Sequence, residues 1–265
     1  METMKKGSKG ENVKKLQARL KELGFNPGII DGSFGQGTLA ALMAFQKSSN
    51  MLADGIAGPK TQIALGLTDE AEGIDLLAKF TVEKVKLMFP QTPVKNITNN
   101  LPYVLDGLRS FSLADKPMGL MALATIRAET ESFKPVDEMK SKWNTSPGGH
   151  PFDLYDNRND LGNQGKPDGD LFKGRGFIQL TGRANYKKYS GIIGMGDELI
   201  ADPDLANDPA IAAKLLSVFL KDKEIKIKEA LLEEDFKAAR KLVNGGSHGL
   251  EKFIDAYKTG NKVIT

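Results

Sequence analysis

An eight-residue pattern that occurs twice near the N-terminus limits what this chain can fold into more than any other feature. Asp31-Gly32-Ser33-Phe34-Gly35-Gln36-Gly37-Thr38 and Asp54-Gly55-Ile56-Ala57-Gly58-Pro59-Lys60-Thr61 share Asp, Gly, Gly and Thr at the same relative positions, 23 residues apart. Each Asp-Gly is a tight-turn signal, and the second Gly lets the chain bend into a helix start. Apolar residues at helical spacing flank both copies. Val13, Leu16, Leu20 and Leu23 share one face of a helix over residues 10–24, with Gly24 as its stop. Leu39, Leu42, Met43 and Phe45 follow the first copy, and Ile63 and Leu65 the second. A repeat of this length predicts a small stacked helical unit.

The signatures Gly-Glu-Asn-Val-Lys-Lys-Leu-Gln, Leu-Gly-Phe, Asp-Gly-x-Phe-Gly-x-x-Thr, Phe-Gln and Asp-Gly-Ile-Ala-Gly-x-x-Thr occur in order within residues 5–67. Together they resemble the three-helix peptidoglycan-binding module of cell-wall hydrolases. The resemblance implies that Asp31, Gly32, Phe34, Asp54 and Gly55 belong to the wall-binding surface. Charge agrees with an anionic target. Residues 1–67 hold nine Lys/Arg against five Asp/Glu, whereas the whole chain carries a net +3. A solvated lysine face is the plain alternative.

The short acidic stretch at residues 68–73 is the expected linker, so the domains are 1–67 and 74–265. Beyond it, Ile74, Leu77, Thr81, Val85 and Met88 predict a helix that ends at Phe89-Pro90. Another is expected over Val94 to Leu108, with Pro102 breaking or starting it. Pro117 is a good first-turn residue for a strongly apolar helix through Met121, Leu123, Ala124 and Ile126 to Glu129. Asn207 or Asp208 caps a further helix whose buried face is Ile211, Leu215, Leu216, Val218 and Phe219. Helices are also expected over Phe236 to Leu242 and Leu250 to Tyr257, with a loop at Asn244-Gly245-Gly246. The one notable strand candidate is Phe177 to Thr181. The chain therefore reads as mainly α.

Chemistry concentrates between Ala128 and Tyr186. Two carboxylates, Glu129 and Glu138, precede a Gly/Asn/Asp-rich span that ends in an apolar run carrying Gln179, Thr181 and Asn185. Acids facing neutral hydrogen-bonding groups suit a sugar-cleaving cleft, where one carboxylic acid protonates the leaving oxygen and one carboxylate handles the water or the cation. Glu129 ends a buried helix at a cleft edge, so partial desolvation should raise its pKa, as a general acid requires. Pro135 prevents one helix from carrying both acids, which places Glu138 on a separate loop. That arrangement suits the separation of roughly 6.5–9.5 Å that admits a water and leads to inversion.

Glu129 with Phe133, Glu138, Tyr155-x-x-Arg158-x-Asp160-Leu161-Gly162-Asn163, Pro167-x-Gly169-x-x-Phe172, the run from Gly174 to Tyr186 and Asn244-Gly245-Gly246 resemble the lysozyme-type, phage-associated branch of family 19 glycoside hydrolases. Plant chitinases belong to the same family. The resemblance covers residues 74–265 and implies a helical lysozyme/chitinase-like domain with a cleft. It implies Glu129 as general acid, Glu138 as the base that holds the water, and Thr181 as the hydroxyl that orients it. Gln179, Asn185, Tyr155 and Asn244 fall at sugar-binding positions. The family commonly has His before the acid, whereas this chain has Ala128, and the loops that lengthen the chitinase groove are shortened here.

With the N-terminal module, the whole resembles a modular phage endolysin. It would be a muramidase-type enzyme that acts as a monomer on bacterial peptidoglycan and causes host lysis. The alternatives are a chitinase and a catalytically inactive wall-binding protein. No cysteine is present, so disulfides, thiolate metal sites and thiol nucleophiles are excluded. His150 and His248 are the two histidines and make no metal spacing, so neither metal nor cofactor is expected. Arg175 and Arg183 are read as braces for carboxylates or loops, with substrate binding as the alternative. Trp143 is read as a sugar-stacking platform or a packing anchor. No apolar h-region opens the chain and no run reaches about 18 residues. Synthesis in the host cytoplasm, no membrane insertion, no nucleic-acid partner and delivery through a holin-type pore are the corresponding expectations.

Overall fold

A computed structural model describes residues 3–67, 75–244 and 249–265, together with the backbone but not the side chain of Asn244. The linker expected at 68–73, Gly245, Gly246 and the Asn244 side chain lie outside the described residues. The chain divides into two compact units, Met1–Asp75 and Leu76–Thr265.

The small unit holds α1 (Glu11–Glu22), α2 (Gln36–Ser48) and α3 (Pro59–Ala64). Leu16, Leu20, Leu42, Phe45 and Leu65 fill its centre. The duplicated pattern folds into the same hydrogen-bonded knot twice. In the first copy Gln17 of α1 donates from Nε2 to Asp31 Oδ1, Ser33 O and Thr38 Oγ1, each at 3.1 Å, and accepts from Gly32 N at 2.9 Å. In the second, Gln46 of α2 donates to Asp54 Oδ1 at 2.7 Å, Ile56 O at 3.0 Å and Thr61 Oγ1 at 3.4 Å, and accepts from Gly55 N at 2.9 Å. Both glutamines are 1% exposed, so each knot replaces water for a buried amide. Gly32 (φ 75) and Gly55 (φ 67) take left-handed backbone, which explains why the pattern keeps glycine there.

The large unit holds α4 (Val82–Met88), α5 (Val94–Ser110), α6 (Lys116–Glu129), α7 (Asp168–Leu171), α8 (Arg183–Ile192), α9 (Glu198–Ala201), α10 (Pro209–Lys221), α11 (Glu224–Leu232), α12 (Phe236–Asn244) and α13 (Leu250–Val263). Every residue of α6 from Met118 to Ala128 is buried. α13 packs along α6, and α10 packs along α5. Caps fix the helix starts. Asp115 accepts from Met118 N ahead of α6, and Asp208 accepts from Ala210 N and Ile211 N with Pro209 at the first turn of α10.

Three expectations are corrected. The helix expected through Met88 is a short 3₁₀ turn, Leu76–Lys79, followed by α4, because Thr81 caps a new start by accepting from Lys84 N. Pro102 neither breaks nor starts α5 but sits inside it. Its missing N–H forfeits one bond of a 17-residue helix that is held by its buried face. Phe177 to Thr181 is not a strand. Arg175 and Leu180 form an isolated antiparallel bridge around a tight turn, with Gly176 (φ 79) and Gln179 (φ 54) both left-handed. Its buried apolar residues pack inward from the turn and pair with no neighbouring strand. Among the described residues there is no extended strand, and no helix is long and apolar enough to cross a membrane.

Candidate active site

Glu129 is the last residue of α6. The chain leaves the helix at once, before Pro135 can act, because Glu131 (φ 47) turns left-handed. Arg240 of α12, fully buried, places Nη2 2.8 Å from Glu129 Oε1, and the Glu129 side chain is 13% exposed. Glu129 is thus partly withdrawn from solvent, as expected at the end of a buried helix, and it faces a buried guanidinium that the sequence did not announce. Ala128 is covered by the turn that opens α13. A Cβ on Gly249 would stand 2.9 Å from Ala128 O and 3.1 Å from Ala128 Cβ. This close approach, with Gly249 left-handed (φ 68), is why residue 249 is held to glycine against Ala128.

The stretch after Glu129 is clamped by α5 and the residues before it. Thr92 donates to Glu131 O, Asn96 Nδ2 donates to Ser132 O at 2.9 Å, and Asn100 Nδ2 donates to Phe133 O at 3.0 Å. Phe133 is buried between Phe89 and Phe177, with ring centroids at 4.7 and 6.3 Å. Phe177 belongs to the 175–180 turn, so the acid-bearing chain and the Gln179 turn share one core contact.

Glu138 is docked on that turn. Its N–H donates to Gly174 O at 2.7 Å, and its Oε2 accepts from Gly174 N at 3.1 Å. Its Oε1 accepts from Tyr155 OH at 2.9 Å and from Asn144 Nδ2 at 3.0 Å. Three donors therefore converge on one carboxyl group, and each of its oxygens accepts. Desolvation, reinforced by the bond to Glu138, pushes Tyr155 up to about 12, so it remains a donor throughout the ordinary pH range.

Gly174 is where Gln179 and Glu138 meet. A Cβ there would lie 3.0 Å from Gln179 Oε1 and 3.1 Å from Glu138 Oε2. Gln179 Nε2 donates to Val136 O at 2.9 Å and Gly176 O at 3.2 Å, which leaves Oε1 as its acceptor on the Glu138 side. Thr181 Oγ1 donates to Gln179 O at 2.9 Å, so its lone pairs remain to accept. Asn185 Nδ2 donates to Thr181 O at 2.8 Å.

Behind this row lie the braces. Arg183 grips Asp168 with two bonds, Nε at 2.7 Å and Nη2 at 2.6 Å, and these bonds hold the Asp168 carboxyl below its usual range. Asn163 accepts from Arg183 N at 2.9 Å and donates to Tyr155 O at 2.8 Å. Arg175 joins Asp204 at 2.7 Å and Asp137 at 3.3 Å.

Tyr155, Glu138, Gln179, Thr181 and Asn185 thus form one connected row, while Glu129 belongs to a second set with Arg240. In the small unit Phe34 is 2% exposed, and Gly32 and Gly55 are buried, so these residues shape the module from within. Asp31 and Asp54 each commit Oδ1 to a glutamine. Sequence reasoning missed Asn144, Arg240 and the partnership of Gln17 and Gln46 with the repeats. Only the glutamines left a signal, since each closes a Leu-Gln or Phe-Gln signature ahead of its Asp-Gly.

Residues 9–65 match the family described as a putative peptidoglycan binding domain. The chain is 52% identical over 52 residues to the N-acetylmuramoyl-L-alanine amidase CwlM of Mycobacterium tuberculosis, covering 20% of this chain and 13% of that protein. It is 46% identical over 61 residues to a spore cortex-lytic enzyme of Bacillus cereus, covering 23% of this chain and 24% of that one. The chain therefore spans less than a quarter of the length of these relatives. The crystal structure of chitinase C from Streptomyces griseus HUT6037 superposes with a TM-score of 0.50 over 74% of this chain and 79% of that one, at 19% identity. The protein combines a helical peptidoglycan-binding module with a larger helical domain. The larger domain has a chitinase fold.

Proposed function

We propose that this protein is a cell-wall hydrolase that cuts the β-1,4 bond between N-acetylmuramic acid and N-acetylglucosamine in bacterial peptidoglycan. Glu129 is the general acid, and Glu138 is the base that activates water. The observation that carries this reading is the Glu138 carboxylate, held by three donors beside the acceptors of Gln179 and Thr181. In a single displacement Glu129 gives its proton to the leaving oxygen as the C–O bond breaks. Water, losing a proton to Glu138, adds to the anomeric carbon from the opposite face. The first product is then the α anomer, which proton NMR of a fresh digest reads directly. The relatives named as amidases cut a different bond, but their match is confined to a small share of their length and speaks for wall binding.

Glu129→Gln should lower the release of reducing ends from purified sacculi by about 10²–10⁴-fold. Circular dichroism would establish that the variant is folded, since Arg240 loses a carboxylate in it. A variant retaining more than about a tenth of wild-type activity rules the assignment out, being far above the loss expected for a general acid. The chitinase fold makes chitin oligomers the second substrate to assay, and mass spectrometry of the released ends assigns the bond. In this reading lysis is of the phage type and needs a holin-type pore. Cytoplasmic expression alone should leave cells intact until the inner membrane is opened, and turbidity before and after chloroform tests this.

A further inference from the structure

We propose that Trp143, with Lys142 beside it, is a sugar subsite on the segment that carries Glu138 and that it favours a glycan ring bearing an anionic stem peptide. The inference rests on the reading of Glu138 as a cleft carboxylate. Trp143 is 78% exposed, and Met139 on the same segment is 83% exposed. An indole so placed contributes almost none of its large apolar surface to the fold, which excludes a packing role.

The turn that displays it is nonetheless fixed. Ser141 N donates to Asn144 Oδ1 at 2.8 Å, Trp143 N donates to Ser141 Oγ at 3.2 Å, and Thr145 N donates to Ser141 O at 3.0 Å. At its centre the Asn144 side chain, 1% exposed, donates from Nδ2 to Glu138 Oε1 at 3.0 Å and to Met139 O at 2.9 Å. One buried amide thus ties the backbone of the indole's turn to the residue whose carboxylate it orients. Lys142 Nζ lies 4.9 Å from the indole centroid and occupies one face, leaving the other open.

The apolar C–H face of a pyranose packs on an open aromatic face of this kind. The ammonium over the opposite face, with exposed Lys140 two residues before it, makes the surroundings positive for an anionic substituent that extends past the ring. In peptidoglycan the lactyl carboxyl of N-acetylmuramic acid is amide-linked to the stem peptide, whose glutamate and terminal carboxylates supply one, whereas N-acetylglucosamine carries none. The subsite therefore discriminates peptidoglycan from chitin.

Trp143 is the single tryptophan of the chain, so emission excited at the indole edge reports on this position alone. Wild-type protein is titrated with two uncleaved probes, the muramic disaccharide N-acetylglucosaminyl-N-acetylmuramoyl-L-alanyl-D-isoglutamate and neutral chitobiose. We expect a saturable blue shift with both, at several-fold lower concentration for the muramic disaccharide. Lys142→Ala should erase that difference, as should high salt. Trp143→Ala should raise the half-saturating peptidoglycan concentration about tenfold, the loss falling there more than on kcat, and Trp143→Phe should recover most of it. Unmoved emission where NMR shows the disaccharide bound, or Trp143→Ala kinetics equal to wild type, overturns this inference while leaving the hydrolase reading intact. A protein that neither binds the disaccharide nor cuts sacculi overturns both.

Discussion

Individual side chains in the site fall into those whose spacing announced them and those that only the fold reveals. Glu129 and Glu138 stood out in the sequence by residue type and order, and Tyr155 by the resemblance; the structure joins Tyr155 to Glu138 and pairs Glu129 with Arg240. Asn144 and Arg240 did not stand out, since a lone polar residue in a turn or on a short helix carries no periodic signature. The Tyr155–Glu138 bond can be tested directly. Tyr155→Phe removes one of three donors from a charged acceptor and should lower activity about tenfold, measured on sacculi at pH 7. Burial also holds Tyr186 and Tyr257 at about 12. An unfolded tyrosine loses its proton near 10.0, so these phenols contribute their full stabilisation below that pH and lose it as pH climbs towards 12. Thermal melts from pH 9 to 12 should fall steeply, and less so in Tyr155→Phe.

Helices with a clear apolar stripe were found close to their true bounds, whereas α8 and α11 went unannounced. The turn at 175–180 was misread because an apolar run of four or five residues fits a strand or a buried bend equally well. That turn matters most to the site, and it is braced from behind by Arg183 and Asp168. Asp168 is 4% exposed and Arg183 27% exposed at the side chain. Arg183→Ala should therefore cost about 2–3 kcal/mol at pH 7, somewhat less than for a fully buried pair. Because the pair holds the Asp168 carboxyl below its ordinary value of 3.8, its contribution is present above that value and disappears as pH falls beneath it. Melting curves of wild type and variant should converge at low pH. Curves that stay equally far apart down to pH 2 would show that the brace is not ionic.

For the whole molecule, a separate small helical unit was readable from the repeat, because two like knots need two like sets of turn residues. What the repeat could not disclose was which residues the knots bury. Tethering to a polymer raises local enzyme concentration without new catalytic contacts. Residues 3–67 alone should sediment with purified sacculi, and residues 75–265 alone should cut them with a higher half-saturating concentration. A small unit left wholly in the supernatant would remove the basis for assigning it to the wall.

The partners of the acid also set a schedule. Arg240 and the turn at Gly249 that covers Ala128 come long after Glu129 in the chain, and Lys252, which pairs with Glu131 at 2.6 Å, follows it by 121 positions. While the ribosome is still making residues 130–240, α6 lacks the helix that seals it and Glu129 lacks its guanidinium. Contacts of such long range close late and slowly. The surround of Glu129 is thus completed only after most of the chain has been translated.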